Sequence, residues 1–319
     1  MYFLSILTIL KNEGMNMNEW INHYLWMGVE HFYMIDNGST DDSVEIMKKF
    51  GDKITIVNLP EPYQQGKHYQ DTFNNYINGN TTWLIISDMD EFWYCLNSTI
   101  ATQLGNLPSS INYIKSHWRM FGSEGLQNHP PDIRTAIVHR KAELDKDTKY
   151  IFKLAELASP QSPQSTPHKI QLHELGDENN MNLYNDTNSI FRLNHYPIQS
   201  WEFFSKIKMT RGDATTILPS NNSRDENYFT RYDANTDFLD EDLKNMVMVV
   251  TNQKDEMAVE YENKEHKDGF SMRDDSYQYF YSLSSFSLVF SSSIIILIIL
   301  LLVCKKKNVA LFIKQFKKF

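Results

Sequence analysis

The sequence predicts an α/β domain with a mostly parallel sheet, and three features of the chain indicate this fold class. Apolar runs of strand length alternate with segments of helical periodicity, in the order β-α-β-α-β-α-β. Each run ends in polar residues, as expected where parallel strands reach a common edge of one sheet. The 319 residues include 17 Tyr, 19 Phe and 6 Trp, enough apolar bulk for a large core. Connections between the parallel strands should be right-handed crossovers.

The first strand is predicted at Tyr2–Leu10, which is largely apolar. This segment lacks the basic start and the small-residue cleavage site of a signal peptide. A helix is predicted over residues 17–28, because Trp20 and Tyr24 recur at helical spacing. Gly28 is a residue type at which helices commonly end.

The later elements follow from the same patterns. The second strand ends in the polar run D-N-G-S-T-D-D-S, where Thr40 or Asp41 is a suitable cap for the next helix. The proline- and serine-rich residues 159–167 predict a loop. The remaining predictions are strands at residues 31–35, 53–59, 83–86, 111–116, 169–172 and 190–194, and helices ending near residue 50 and over residues 67–77 and 201–210.

An acidic cluster follows the apolar run W-L-I-I, and we interpret it as the centre of the site. In an extended segment, Asp88 and Asp90 lie on one face and Met89 on the other. Neighbouring carboxylates repel unless a cation lies between them, and a hard divalent ion with oxygen ligands is the usual solution. Removing one carboxylate should then leave the free energy of unfolding unchanged or slightly raised. The alternative is a turn with solvated acids, because D-x-D alone is a weak signal.

Composition excludes some functions. The net charge of −9 disfavours nucleic acid as a partner, since phosphate binding requires a basic surface. The two cysteines, Cys95 and Cys304, do not form a disulfide framework or a cysteine metal site. This usage is compatible with a reducing compartment.

Six ordered blocks resemble glycosyltransferase family 92 and related family 2-like glycosyltransferases, which have the GT-A fold. They are K-N-E at 11–13, E-W-I-N-H-Y-L at 19–25, G-V-E-H-F-Y at 28–33, D-M-D-E-F at 88–92, W-R-M-F-G-S at 118–123, and N-H-Y at 194–196 followed by Ser200 and Lys206. The resemblance extends from about residue 3 to about residue 240. It implies a mixed, mostly parallel GT-A (Rossmann-like) sheet flanked by helices.

The resemblance also implies an activity. The expected enzyme is a metal-dependent hexosyltransferase, acting with inversion on a nucleoside-diphosphate sugar and a glycan, protein or lipid acceptor. Asp88 and Asp90 would hold Mn²⁺ or Mg²⁺, which stabilises the leaving diphosphate. His195 would complete metal or diphosphate binding, although a lone histidine at a strand end is equally typical of a core side chain.

Donor-binding residues are expected at the first two strand ends. Amide and carboxylate groups there suit a base edge or ribose hydroxyls, although Asn-Gly is itself a turn former. Two lysines are candidates for phosphate contacts, against the simpler interpretation of solvated surface residues. The predicted donor-binding residues are Asn12, Glu13, Asp36, Asn37, Lys67 and Lys206.

An inverting transfer needs a general base for the acceptor hydroxyl. Glu91, next to the aspartates, and Glu124, in the F-G-S-E-G segment, are the candidates. Glu91 also suits a capping or positioning role, and Glu124 stands where the resemblance leads us to expect a small residue.

Two other classes of function remain open from the sequence. One is a catalytically inactive relative that serves as a carbohydrate-binding or scaffold module. The other is a nucleotidyltransferase, which also uses paired aspartates on a sheet. A nucleotidyltransferase usually has a glycine-rich basic loop near its first strand, and K-N-E-G at residues 11–14 offers little of this.

The C-terminal part predicts a membrane anchor. A glycosyltransferase domain at residues 1–240 is followed by a polar linker at residues 241–282. Residues 283–304 contain no charged side chain and are long enough to cross a bilayer as a transmembrane helix. A basic tail follows at residues 305–319.

The topology prediction is a cytosol-facing catalytic domain, with the Golgi or ER lumen as the alternative. The lysine-rich tail favours the lumenal arrangement, because positive flanks tend to remain cytosolic. The sequons that begin at Asn37 and Asn97 favour the cytosol, because glycans there would lie close to the predicted site.

Overall fold

The computed structural model describes residues 1–111, 113–154, 183–184, 190–212 and 224–252. These residues belong to one compact unit, Met1–Gly269. The predicted loop at 159–167, strand at 169–172, transmembrane helix at 283–304 and basic tail lie outside the described residues. Among the helices that are described, none has the length and hydropathy needed to cross a bilayer.

A single large sheet organises the domain. In the described residues it has nine strands, in the order β3-β2-β1-β4-β8-β6-β10-β5, with β9 beside β6. A separate pair, β7 and β11, forms a small antiparallel ribbon. The strands are β1 Tyr2–Leu10, β2 His31–Asp36, β3 Ile54–Asn58, β4 Thr81–Ile86, β5 Glu91–Cys95, β6 Tyr113–Met120, β7 His139–Arg140, β8 Thr148–Lys153, β9 Leu183–Tyr184, β10 Phe191–His195 and β11 Phe238–Leu239.

The sheet is mixed and mostly parallel, which confirms the predicted fold class and is consistent with the GT-A fold. Strands β3, β2, β1 and β4 run parallel to one another. Strand β8 is antiparallel to both β4 and β6, and β5 is antiparallel to β10. The carboxyl ends of β1, β2 and β4 therefore share one edge with the amino end of β8, because β8 runs the opposite way.

Helices cover both faces of the sheet. They are α1 Gly14–Trp26, α2 Ser43–Lys48, α3 Gln65–Thr72, α4 Ile100–Asn106, α5 Ile133–Ala136, α6 Trp201–Phe203 and α7 Glu226–Asp233, followed by a helix at residues 242–252. Single π-helical turns extend α3 through Phe73–Ile77 and α6 through Phe204–Lys208.

Alternation along β1 produces two apolar layers. Leu4 and Ile6 contact one core cluster, which includes Trp20 of α1, while Leu7 and Ile9 contact the other. The second cluster contains the buried side chains of α3 and its extension, Tyr69, Phe73 and Ile77. Successive side chains of a strand point to opposite faces, so a strand this apolar must be covered on both.

Helix α1 packs through residues one turn apart. Met17, Trp20, Ile21 and Tyr24 are all fully buried. The chain leaves the helix at Gly28, where φ is +89° and a Cβ atom would lie 2.5 Å from Cβ of Ala101. Glycine is therefore required here both for the backbone conformation and for close contact with α4.

The sequence predictions hold well for the first strand and less well at the ends of the domain. Tyr2–Leu10 has the predicted bounds. Residues 242–252, which the sequence analysis assigns to a linker, form a helix that buries Leu243 and Val247 in the core. Helical structure therefore extends beyond residue 240.

Candidate active site

The acidic cluster lies in a turn between β4 and β5, so the prediction of an extended segment is wrong. Glu91 closes this turn: its backbone N–H donates to the carbonyl of Asp88 (3.1 Å), and its Oε2 accepts from the backbone N–H of Asp88 (2.9 Å) and from Ser87 Oγ (3.0 Å). Trp20 Nε1 donates to the carbonyls of Asp88 and Glu91, both at 3.1 Å. Met89 packs into the core. The turn thus holds Asp88 and Asp90 by its backbone rather than by strand alternation.

Lys149 is the countercharge of Asp88. Its Nζ lies 2.9 Å from Asp88 Oδ2 and 3.3 Å from Glu91 Oε1, and the lysine side chain is fully buried. The antiparallel register pairs Ile85 with Ile151, which brings the start of β8 beside the end of β4. The sheet itself therefore delivers this cation to the acidic turn.

Lys208 is the countercharge of Asp90. Its Nζ donates a hydrogen bond to Asp90 Oδ2, and only 2% of the lysine side chain is exposed. His195 Nε2 lies 3.6 Å from the other oxygen of Asp90. Burial alone would raise the pKa of Asp90, but the charges of Lys208 and His195 hold it well below its usual range.

The neighbouring groups titrate abnormally. Burial raises the pKa of Glu91 to about 7, with Asp88 acting in the same direction and Lys149 against it. Burial lowers the pKa of Lys208, Asp90 raises it, and the guanidinium groups of Arg211 and Arg224 lower it further. Burial works against the charged form of Lys149, but Asp88 and Glu91 outweigh it and raise the pKa of that lysine. These directions favour the charged forms of Asp90 and Lys149.

These lysines change the expected energetics of the aspartates. The sequence alone predicts relief of repulsion when one carboxylate is removed. Each carboxylate instead neutralises a buried ammonium, and a buried charge left without its partner is costly. Replacing Asp88 or Asp90 should therefore lower the free energy of unfolding.

His195 is placed by two strands and by an aromatic ring. It ends β10, opposite Glu91 of β5, and its carbonyl accepts from the backbone N–H of Phe121 (2.9 Å). The ring centroid of Trp118 lies 4.4 Å from that of His195. His195 Nδ1 is buried and has no hydrogen-bond partner among the described residues. A buried imidazole with one nitrogen facing a carboxylate and the other without a partner among the described residues is more typical of a site than of a satisfied core histidine.

The candidate metal ligands Asp88, Asp90 and His195 have the right chemistry for a divalent cation, although they are not already arranged around one point. Two carboxylates and an imidazole are suitable ligands for Mn²⁺ or Mg²⁺. Asp90 and His195 lie together, and the ion pair of Lys208 with Asp90 shows that this carboxylate holds a cation. Within the described ranges, however, no three His, Cys, Asp or Glu side chains converge as a metal site.

The loops after β1 and β2 hold each other in place. Asn12 has φ of +55°; its backbone N–H donates to Ser39 Oγ (3.0 Å), and its Oδ1 accepts from the backbone N–H of Thr40 (2.7 Å). Asp36 Oδ1 accepts from the backbone N–H of Ser39 (3.0 Å). Asn37 is buried, and its Nδ2 donates to the carbonyls of Leu59 (2.6 Å) and Glu61 (3.0 Å). The predicted nucleoside residues are thus together at the sheet edge, with structural hydrogen bonds of their own.

Glu13 connects this edge to the chain that follows α6. Its carboxylate is buried and accepts a hydrogen bond from Arg211 Nη1, which also donates to the carbonyl of Lys11 (3.2 Å). Arg211 lies three residues beyond Lys208. One short segment therefore contacts both the end of β1 and the acidic turn after β4.

The structure places the other two predicted lysines on the surface. Lys67 pairs with Asp71 at 3.0 Å on α3, and its side chain is 67% exposed. Lys206 pairs with Glu202 at 2.7 Å, and its side chain is 65% exposed. Each lysine pairs with an acid four residues away on its own helix, rather than with Asp88 or Asp90. Their role in phosphate binding remains a prediction that these contacts do not favour.

Glu124 organises a loop. It has φ of +54°, and its Oε1 accepts from the backbone N–H groups of Val138 (2.8 Å) and His139 (2.7 Å). Burial is the largest single influence and raises its pKa, but the hydrogen bonds from Val138 and His139 together outweigh burial and lower the pKa of the carboxyl. A carboxylate stabilised in this way is a weak base.

Sequence reasoning missed Lys149, Lys208 and Arg211. A weak signal exists for the first two. Lys149 shares a strand face with the buried Ile151, two residues away, and Lys208 lies four residues after the buried Phe204. A lysine on an apolar face is the pattern that would have identified them.

The chain is similar to known glycosyltransferases. A family model described as Glycosyltransferase family 92 matches residues 7–228. A glycosyltransferase family 92 protein of Ricinus communis is 25% identical over 230 residues, which cover 69% of this chain and 40% of that protein. One of Arabidopsis thaliana is 25% identical over 237 residues, covering 67% and 38%. The chain thus spans about 40% of the length of these curated relatives.

Solved structures give a weaker likeness. The crystal structure of Staphylococcus aureus TarS 1–349 in complex with UDP-GlcNAc has a TM-score of 0.42 and 12% identity, over 73% of this chain and 70% of that one. Because the family model covers more than half of the residues, the conclusion rests on the sequence match: the chain belongs to glycosyltransferase family 92.

Proposed function

We propose that this chain transfers a sugar, with a hexose as the first choice, from a nucleoside-diphosphate sugar to a glycan, protein or lipid acceptor. The observation that carries the proposal is the paired acid and lysine cluster at the carboxyl end of β4. Asp88 with Lys149 and Asp90 with Lys208 lie beside the loops that follow β1 and β2. In open α/β sheets, this edge is where nucleotides bind.

The reaction explains why cations are needed there. As the bond between the sugar carbon and the diphosphate oxygen breaks, the leaving group gains negative charge. Buried cations stabilise that charge more strongly than solvated ones. Mn²⁺ or Mg²⁺, held by Asp88, Asp90 and His195, would supply further charge neutralisation when bound.

The residues around the turn keep the site in position. Glu91 is fully buried, and its oxygens contact Ser87, the backbone of Asp88 and Lys149. This set of contacts favours the positioning role over the role of general base. In an inverting transfer, a base takes the proton of the acceptor hydroxyl while that oxygen attacks the sugar carbon. Glu124, tied to its own loop, is no better suited, so we leave the base unassigned.

We also propose a cytosol-facing catalytic domain, anchored through residues 283–304. The supporting observation is Asn37, the acceptor of the sequon N-G-S. Its side-chain nitrogen is buried and bonded to two carbonyls, so a glycan there is incompatible with the fold.

A donor screen tests the proposed activity. The protein is incubated with a panel of nucleotide sugars, with Mn²⁺, with Mg²⁺ or in chelator, and release of the nucleoside diphosphate is measured. The proposal expects hydrolysis of at least one donor, stimulated by metal. Nucleotide binding without turnover of any donor would favour the inactive relative, and pyrophosphate release from a nucleoside triphosphate would favour a nucleotidyltransferase.

A further inference from the structure

Lys208 is a buried cation with unused hydrogen-bonding capacity. An ammonium group has three N–H donors. In the described residues, the Nζ of Lys208 makes one hydrogen bond, to Asp90 Oδ2, and lies 5.9 Å from the ring centroid of Phe203. Buried donors without partners are rare, and they commonly mark a site where a ligand binds. The ligand must accept hydrogen bonds and tolerate a cationic neighbour.

The charges around Lys208 indicate that this ligand is an anion. The groups that act on it are the carboxylates of Asp90 and Glu13 and the guanidinium groups of Arg211 and Arg224. With Lys208 itself, three cations and two carboxylates are gathered in one partly buried region. Adding a negatively charged group there is favourable, since electrostatic interactions strengthen away from bulk water.

The position of the two basic residues matches a diphosphate. Arg211 is fixed to the end of β1 by the carbonyl of Lys11 and the carboxylate of Glu13. Lys208 is fixed to the turn after β4 by Asp90. A donor that has its nucleoside near β1 and its sugar near the acidic turn must place its two phosphates between these contacts.

We propose that Lys208 and Arg211 together bind the diphosphate of the donor. This inference rests on the proposed function and assigns residues to it that the sequence motifs do not include. Lys208 keeps its hydrogen bond to Asp90 and donates its remaining N–H groups to a phosphate oxygen. Arg211 offers a planar donor group to the other phosphate, a geometry that guanidinium supplies well.

Inorganic pyrophosphate is the probe, titrated calorimetrically in chelator so that metal does not contribute. Lys208→Met should weaken pyrophosphate binding at least about tenfold, the usual consequence of losing a hydrogen bond to a charged group. Lys244→Met is the surface control and should bind as the wild type does, because Lys244 pairs only with Glu241 in the described residues.

Two further variants preserve the charge balance, so that a loss of binding is not caused by misfolding. Lys208→Arg should retain most of the pyrophosphate binding. Asp90→Asn combined with Lys208→Met removes both charges and should bind pyrophosphate only weakly. Equal pyrophosphate binding by the wild type and the double variant, or an equal loss of binding in Lys244→Met, would overturn the inference, as would a wild type that binds no pyrophosphate.

The outcome for the inference is separable from that for the proposed function. Lys208-dependent pyrophosphate binding in a protein that turns over no nucleotide sugar would leave the phosphate site standing and refute the transferase activity. Donor turnover that is insensitive to Lys208→Met would refute the phosphate site and leave the transferase activity standing.

Discussion

Lys149 Nζ lies 2.9 Å from Asp88 Oδ2, in a strand that runs antiparallel to the one preceding the aspartate. Lys149 is fully buried, and Glu91 lies on its other side at 3.3 Å. The acidic turn is therefore not a bare pair of carboxylates awaiting a metal. It is neutralised by the sheet itself, and stability and donor binding are linked through the same charges.

Replacing Lys149 tests this arrangement. Lys149→Met leaves Asp88 and Glu91 without their cation and should lower the free energy of unfolding by about 3–5 kcal/mol, the usual cost of breaking a buried ion pair. Lys67→Met, in an exposed pair on α3, should change it by less than about 1 kcal/mol. Urea denaturation measures both. Equal effects of the two substitutions would show that the buried pair has no special role.

The sheet and its first elements could be predicted from the sequence, because the residue patterns that indicate them are local. The bounds of β1, the turn at Gly28 that follows α1, and the polar ends of β1, β2 and β4 follow from apolar runs and turn residues. Family resemblance adds the identity of Asp88, Asp90 and His195 as a group, and the structure brings Asp90 and His195 together.

The two lysines that neutralise the aspartates could not be predicted, because their contacts depend on long-range pairing. Lys149 is 61 residues from Asp88, and Lys208 is 118 residues from Asp90. Neither contact is implied by spacing; each requires the register of β8 or the direction of the segment after α6. The turn at the aspartates is only the alternative interpretation of the sequence, since nothing local indicates that the Glu91 side chain closes it.

His195 should affect metal binding more than stability. His195→Ala removes the imidazole that faces Asp90 and should weaken Mn²⁺ binding at least about tenfold, as measured by titration followed by electron paramagnetic resonance. His31→Ala is the matched control: it removes another buried histidine, stacked on Tyr2 at the opposite end of the strands. A large loss of stability in His195→Ala with unchanged Mn²⁺ affinity would identify a core histidine instead.

His23 should make the fold sensitive to acid. It is fully buried, its Nε2 donates to the Trp93 carbonyl at 2.7 Å, and burial, assisted by Arg134, lowers its pKa to about 3 from 6.5. Below pH 6.5, His23 takes up a proton in the unfolded chain but stays neutral in the folded chain until the pH approaches 3. The contribution of His23 is therefore complete above pH 6.5 and is lost as the pH falls toward 3, at about 1.4 kcal/mol per pH unit.

A variant isolates this contribution. His23→Gln should be destabilising at pH 7, and its deficit relative to wild type should shrink by about 2 kcal/mol at pH 5. Chemical denaturation of both proteins at the two pH values measures the difference. A deficit that is independent of pH would mean that His23 takes up its proton equally in the folded and unfolded states.

The proposed topology predicts an unglycosylated domain. Expressed in eukaryotic cells, the full chain should show no mobility shift after endoglycosidase treatment, because a cytosolic domain does not meet the oligosaccharide machinery. The exposed Asn80 and Asn97 begin the sequons N-T-T and N-S-T and make the assay sensitive, since both are accessible if the domain enters the lumen. A mobility shift after digestion would place the domain in the lumen.

The central claim is that Asp88 and Asp90 organise the transfer of sugar from a nucleotide donor. The most direct measurement is the rate of nucleoside diphosphate release from the best donor of the screen, with Mn²⁺, for the wild type, Asp88→Asn, Asp90→Asn and the double variant. Circular dichroism confirms that each is folded. We predict that each single variant loses at least about a hundredfold in rate, as is typical when charge stabilisation of a transition state is removed. A folded double variant that releases nucleoside diphosphate as fast as the wild type would contradict the account.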